Sequence, residues 1–203
     1  MQGDDCLTKD NLLQDIEFIV ELDKMKSILR QTSLIGKDER EDDAQHSWHI
    51  SVMAMILADY ADEKIDVCKV IKMLLIHDIV ELYAGDTFCY DEEGKKDKEE
   101  REKKAAEKVY GMLDEKKGME LKELWEEFEK MESPEAVFAA AMDRLQPMLN
   151  NYYNEGGTWK KFDVAQSAIY KRIEPVKRAS SRIWEFVEQM LEDAYNRGLI
   201  NKR

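Results

Sequence analysis

The 203-residue chain has three histidines, His46, His49 and His77, and the last is followed at once by Asp78. Imidazole nitrogens and carboxylate oxygens are common ligands for Zn, Mn, Co or Fe, so a scarce histidine beside an aspartate points to metal chemistry. His46 lies on the stripe His46, Ile50, Met53, Leu57, and His77 on the stripe Val70, Leu74, His77, Glu81. Both stripes follow i, i+4, i+7, i+11, the period of an amphipathic helix, so each ring faces inward from its own helix. Helices packed ~8–10 Å apart can bring two such rings to one point. His46 falls in the first turn of its helix, where the dipole disfavours an imidazolium and leaves the ring neutral for coordination.

Asp143 interrupts the apolar run Val137, Phe138, Ala139, Ala140, Ala141, Met142. A carboxylate there is costly unless it meets a metal or a cation. Its alternative partner is the adjacent Arg144. Glu81 is one helical turn beyond His77, which projects its carboxylate over the same point and makes it the candidate for proton transfer. His49, one turn from His46, either supports that residue or serves in packing or at the surface.

These positions need helices to hold them. From Asn11 to Arg30, Phe18, Leu22, Met25 and Leu29 form a helical stripe that Leu12, Ile16 and Ile19 broaden. A polar stretch from Gly36 to Asp43 leads to the helix of His46, with Asp42 or Asp43 as N-cap. Asp66 caps the helix of His77, which ends near Gly85. Further helices are predicted over about 99–116, 120–131, 134–153, 163–173 and 179–197, the last stopped by Gly198. No strand-like alternation competes. The charge run Asp91 to Lys104 reads as an exposed loop and helix start without chemistry.

With 43% hydrophobic and 37% charged residues, nine Gly and three Pro, the composition is that of a folded helical protein. There is no internal repeat and no Pro- or Ser-rich linker, so residues 1–203 read as one all-α domain, with a core of about 12–155 and C-terminal helices of about 160–197 packing on it. A net charge of −13, from 31 Lys and Arg against 44 Asp and Glu, opposes a nucleic acid polymer as partner. Cys6, Cys68 and Cys89 show no CxxC spacing and read as packing residues in a reducing compartment. The start MQGDDCLTKD has no signal character and no later stretch is apolar enough to span a bilayer, so a cytoplasmic protein without membrane association is expected.

His46, then His77 with Asp78, then Asp143 on a later helix resemble the H…HD…D signature of the HD-domain phosphohydrolase superfamily. DAQHSWH (43–49), KMLLIHDIVELYAGDT (72–87), LWEEFE (124–129) and AMDRLQPMLNNY (141–152) resemble the branch of the bacterial 5′-deoxynucleotidases and related predicted hydrolases. The resemblance covers about residues 12–195. It implies one divalent ion (Mn, Co, Zn, Fe or Mg) held by His46, His77, Asp78 and Asp143. It also implies a second acidic position at Asp86, whose alternative is a turn aspartate, and a phosphate-binding arginine at about Arg30, on the first helix. The activity it implies is metal-dependent phosphomonoester hydrolysis of nucleoside 5′-monophosphates by a homodimer. Another small phosphate ester, a pyrophosphate-linked nucleotide, and a non-catalytic metal-binding sensor or interaction protein are the alternatives. Two positions depart from the nucleotidase pattern: Gln31 to Leu34 stand where a tryptophan follows the arginine, and Gln45 stands where an acid precedes the first histidine.

Overall fold

A computed structural model describes residues 11–201; Cys6 and the N-terminal decapeptide lie outside the described residues. The fold is all-α, as expected, with one short strand pair. Helix α1 spans Asn11–Leu22. It does not run on to Arg30: a 3₁₀ turn, Asp23–Ser27, ends in an extended Ile28, and the chain enters strand β1, Leu29–Ser33. Strand β2, Arg40–Asp42, pairs with it antiparallel, Leu29 opposite Asp42 and Ser33 opposite Arg40. Arg30 therefore sits on a strand rather than on the first helix. The strands are too short to show alternation, and side-chain bonds from Arg40 to the Leu29 and Arg30 carbonyls reinforce the pair. Between them, Leu34 O accepts from Lys37 N across a turn in which Gly36 has φ 74°, a conformation that favours glycine.

Helix α2, Asp43–Leu57, starts with a capping box: the Asp42 carboxylate accepts from Gln45 N while the Gln45 side chain accepts from Asp42 N. Helix α3, Val67–Ile76, is capped by Asp66, which accepts from Cys68 N and Lys69 N. The expected helix to Gly85 is broken. Residues 77–80 form tight turns with Ile79 N bonded to Ile76 O and Glu81 N to Asp78 O, and a one-turn α4, Glu81–Ala84, follows. Such i→i+3 bonding nearly eclipses side chains three apart, so Asp78 and Glu81 project together.

Helices α5, Lys98–Tyr110, and α6, Glu115–Lys130, precede α7, Pro134–Tyr153, whose bounds match the prediction. Ser133 caps α7 and Pro134 opens it, a favourable start because proline lacks an N–H that would be unpaired there. Helix α9, Gln166–Arg172, falls within the helix predicted over 163–173; the short helices α8, Gly157–Lys161, and α10, Glu174–Ala179, flank it and were not predicted, and α11 spans Ser181–Asn196.

The apolar face of α7 forms the centre of the main core, in which Ile50, Leu74, Phe138, Met142, Ile173, Val176, Val187 and Leu191 are joined in one cluster. A second cluster gathers Phe18, Val80, Val109, Tyr110 and Trp125. The residues expected to broaden the α1 stripe, Leu12, Ile16 and Ile19, are exposed. Cys68 is exposed rather than packed, and Cys89 is half-buried. Among the described residues, no helix is long and apolar enough to cross a membrane.

Candidate metal centre

The capping box fixes the start of α2 and hence the direction of His46 in its first turn. The end of α3 presents His77, the tight turn presents Asp78, and α7 presents Asp143 from the middle of its apolar face. All four side chains are buried. His46 Nε2 lies 3.1 Å from Asp143 Oδ1 and 4.0 Å from Asp78 Oδ2, and His77 Nε2 lies 3.0 Å from Asp78 Oδ2 and 3.6 Å from Asp143 Oδ1. Ligand bonds of ~2.0–2.2 Å place neighbouring donor atoms roughly 3 to 3.5 Å apart. The four expected residues are thus brought together at a spacing that fits a divalent cation.

The outer ring nitrogens support the same fit. His77 Nδ1 donates to the Leu74 carbonyl at 2.9 Å. Its Nε2 is buried and, among the described residues, has no hydrogen-bond geometry to any group, despite its 3.0 Å approach to Asp78. His46 Nδ1 donates to Gln146 Oε1 at 3.1 Å, and the Gln146 amide donates to Glu41. Both rings therefore turn Nε2 toward the carboxylates, the orientation that coordination requires once that nitrogen is unprotonated.

Charge in the pocket is tightly coupled. Burial, and then Arg30, lower the His46 pKa, so that ring is neutral. Burial alone would also lower that of His77, but the Asp78 and Asp143 carboxylates carry it up to about 10. Burial opposes ionisation of Asp78 and Asp143, yet His77 and Arg30 hold Asp78 well below the carboxylate range, and His46, His77 and Arg172 do the same for Asp143.

Beside this set stands a second buried group, Asp43, Asp78 and Glu81. Burial and Asp78 push Asp43 up to about 7 and, with Asp43, lift Glu81 well above its ordinary value. Asp43 Oδ2 and Glu81 Oε2 are buried without a hydrogen-bond partner among the described residues. Arg30 reaches in from β1, 2.7 Å from Asp78, 3.4 Å from Asp43 and 3.9 Å from Glu41. Asp86 lines the same cavity of about 500 Å³ but belongs to neither buried group. Burial, with Asp78 nearby, raises its pKa.

Sequence reading did not single out Asp43, Glu41, Gln146 or Arg172 as parts of the site. Asp43 precedes His46 by three residues and Gln146 follows Asp143 by three, a spacing that puts each pair on one helix face and could have signalled both. Arg144 and Arg172 reach Asp143 at 3.4 and 3.3 Å, so the ion-pair alternative for Asp143 and its place beside the histidines hold together. His49 contacts the Gln146 amide rather than the histidine–aspartate group. The charge run does carry part of the cavity: Glu92, Lys95, Lys98 and Glu102 line it.

The sequence profile of the HD domain matches residues 22–184. The fold superposes with a TM-score of 0.91 on the crystal structure of a predicted metal-dependent phosphohydrolase from Magnetospirillum magnetotacticum, at 45% identity over 96% of this chain and 97% of that one. The chain is 29% identical to the 5′-deoxynucleotidase HDDC2 of Danio rerio over 72% of its length and 70% of that protein's. With the human 5′-deoxynucleotidase HDDC2 it shares 29% identity, covering 66% of this chain and 65% of the relative.

Proposed function

Because this chain belongs to the HD-domain family and is one of its metal-dependent phosphohydrolases, we propose that it is a phosphomonoesterase acting on nucleoside 5′-monophosphates. The carrying observation is the convergence of two inward-facing Nε2 atoms and two carboxylates with Arg30 and Glu81 in one cavity. In this reading His46, His77, Asp78 and Asp143 hold one divalent ion. When bound, such an ion supplies Lewis acidity that polarises a phosphoryl group and acidifies water.

Arg30 offers its planar fork to the phosphate oxygens. Glu81 accepts a proton from the attacking water and delivers one to the leaving alkoxide, while Asp86 orients the water or the sugar. The bond from phosphorus to the ester oxygen breaks, one from phosphorus to the water oxygen forms, and a nucleoside and inorganic phosphate result. Phe88, Tyr90, Met148 and Trp159 line the same cavity and give a base an apolar surface. The similarity to 5′-deoxynucleotidases supports this substrate class.

We read residues 1–203 as one domain acting in the cytoplasm as a homodimer. Exposed Leu13, Ile16, Ile19 and Val20 on α1 offer apolar surface that a second copy would cover.

The test is phosphate release from a panel of nucleoside monophosphates, sugar phosphates and pyrophosphate-linked nucleotides with Mn²⁺ or Co²⁺. Preference for nucleoside 5′-monophosphates supports the proposal. Preference for another member reassigns the substrate, and no release by metal-loaded protein makes the chain a sensor or interaction protein.

A further inference from the structure

The cavity directs more positive charge at Asp143 than one phosphate needs. Arg144, on α7, and Arg172, the last residue of α9, both address its Oδ2 atom, at 3.4 and 3.3 Å. Arg30 approaches the other oxygen, Oδ1, at 4.0 Å. One buried carboxylate is thus flanked by a single guanidinium on one side and by a pair on the other, in a chain whose net charge is −13.

The pair has unused donor capacity. A guanidinium carries five N–H groups. Among the described residues, those of Arg144 go to the Ala140 carbonyl and Asp143, and those of Arg172 to Asp143. The Arg144 side chain is 12% exposed and that of Arg172 34%, and both line the cavity that contains His77, Asp78 and Glu81. Once Asp143 shares its charge with a cation, the two guanidiniums keep only Glu129, which acts on Arg144 in the same cavity, as a partial counter-charge among the described residues. Such an arrangement is costly in a buried setting unless an anion completes it. Lys171 lines the same wall.

We propose that Arg144 and Arg172 form a second anion-binding position, across Asp143 from Arg30, so that the preferred substrate carries a second phosphate beside the one that is cleaved. The inference rests on the phosphomonoesterase reading and narrows its substrate class to nucleoside 5′-monophosphates that carry a second phosphate on another hydroxyl. Two guanidiniums converging on one point suit a phosphate through several parallel N–H bonds.

The test compares kcat/KM of Mn²⁺-loaded protein for adenosine 5′-monophosphate, adenosine 3′,5′-bisphosphate and adenosine 5′-diphosphate, in the wild type, Arg172→Gln and Arg144→Gln. The wild type should prefer adenosine 3′,5′-bisphosphate to the monophosphate at least tenfold, whereas a preference for adenosine 5′-diphosphate would overturn the proposal. Each substitution should lower kcat/KM for the bisphosphate at least tenfold more than for the monophosphate, mainly through KM. Equal losses on all three, or no preference in the wild type, would show that the arginines only balance Asp143 and overturn the proposal. Arg172, being partly exposed, serves if the Arg144 variant does not fold. Should the wild type hydrolyse none of them, the phosphomonoesterase reading itself fails; thermal shifts then decide the anion position. It stands if adenosine 3′,5′-bisphosphate stabilises the metal-loaded wild type more than the monophosphate does and this excess is lost in Arg172→Gln, and it falls if the shifts are equal.

Discussion

His77 Nδ1 lies 2.9 Å from the carbonyl oxygen of Leu74, one turn earlier on α3, and this single bond aims the other ring nitrogen at Asp78 and Asp143. Gln146 does the same for His46, and Glu41 holds Gln146. Removing such an outer partner leaves a ligand present but poorly oriented. Gln146→Leu should therefore weaken Mn²⁺ affinity roughly tenfold to a hundredfold, read by titration calorimetry. His77→Ala and Asp78→Ala, which remove proposed ligands outright, should lose most of about one ion per chain. Wild-type metal content in either alanine variant would place the ion elsewhere.

The same residues give metal-dependent stability a pH dependence with a defined sign. His77 is raised from 6.5 to about 10. Its protonation therefore stabilises the metal-free protein fully below about pH 6.5, a contribution lost as pH rises through about 10. Asp43, raised to about 7, works in the same direction: the stability it contributes is lost as pH climbs through that value. Coordination uses the unprotonated ring and must displace the His77 proton, a cost that falls as pH rises. The rise in Tm on adding Mn²⁺ should accordingly widen between about pH 6.5 and pH 8.5. A constant or shrinking rise, followed by calorimetry at fixed metal concentration, contradicts the assignment of His77.

Arg30 has two jobs that separate experimentally. In the metal-free protein it compensates Asp78, Asp43 and Glu41, all buried. Arg30→Ala should cost about 3 kcal/mol or more in denaturant unfolding, because it strands buried carboxylates. With metal restored, it should lower kcat/KM for a nucleoside 5′-monophosphate by on the order of tenfold or more, the loss of a charged hydrogen bond to phosphate. Unchanged kinetics alongside reduced stability would leave Arg30 only the compensating part.

Much of this was written in the chain. The stripes of His46 and His77, the Asp66 cap, the bounds of α7 and the cost of burying Asp143 were each legible from local spacing. The placement of Arg30 was not, because β1 exists through pairing with a three-residue strand and through Arg40, neither of which leaves a periodic trace. Nor was the break after Ile76 legible: the stripe Val70, Leu74, His77, Glu81 suits a continuous helix, while the tight turn that replaces it depends on tertiary packing of Ile79 and Val80. Arg172 joins Asp143 from 29 residues away, a contact only the folded chain creates.

Glu81 divides the chemistry from the binding. Glu81→Gln preserves shape but cannot exchange a proton, so kcat should fall roughly 10²-fold or more while metal content stays near the wild-type level. Loss of metal in this variant would make Glu81 a ligand. Near-normal turnover would pass the proton-transfer role to Asp86.

The most direct test of the central claim is phosphate release from a nucleoside 5′-monophosphate by chelator-treated protein, measured before and during titration with Mn²⁺. No release is expected at first, followed by activity that rises to a plateau near one equivalent of metal in the wild type, but not in His77→Ala. Release that persists without metal, or an equal response in His77→Ala, would contradict it.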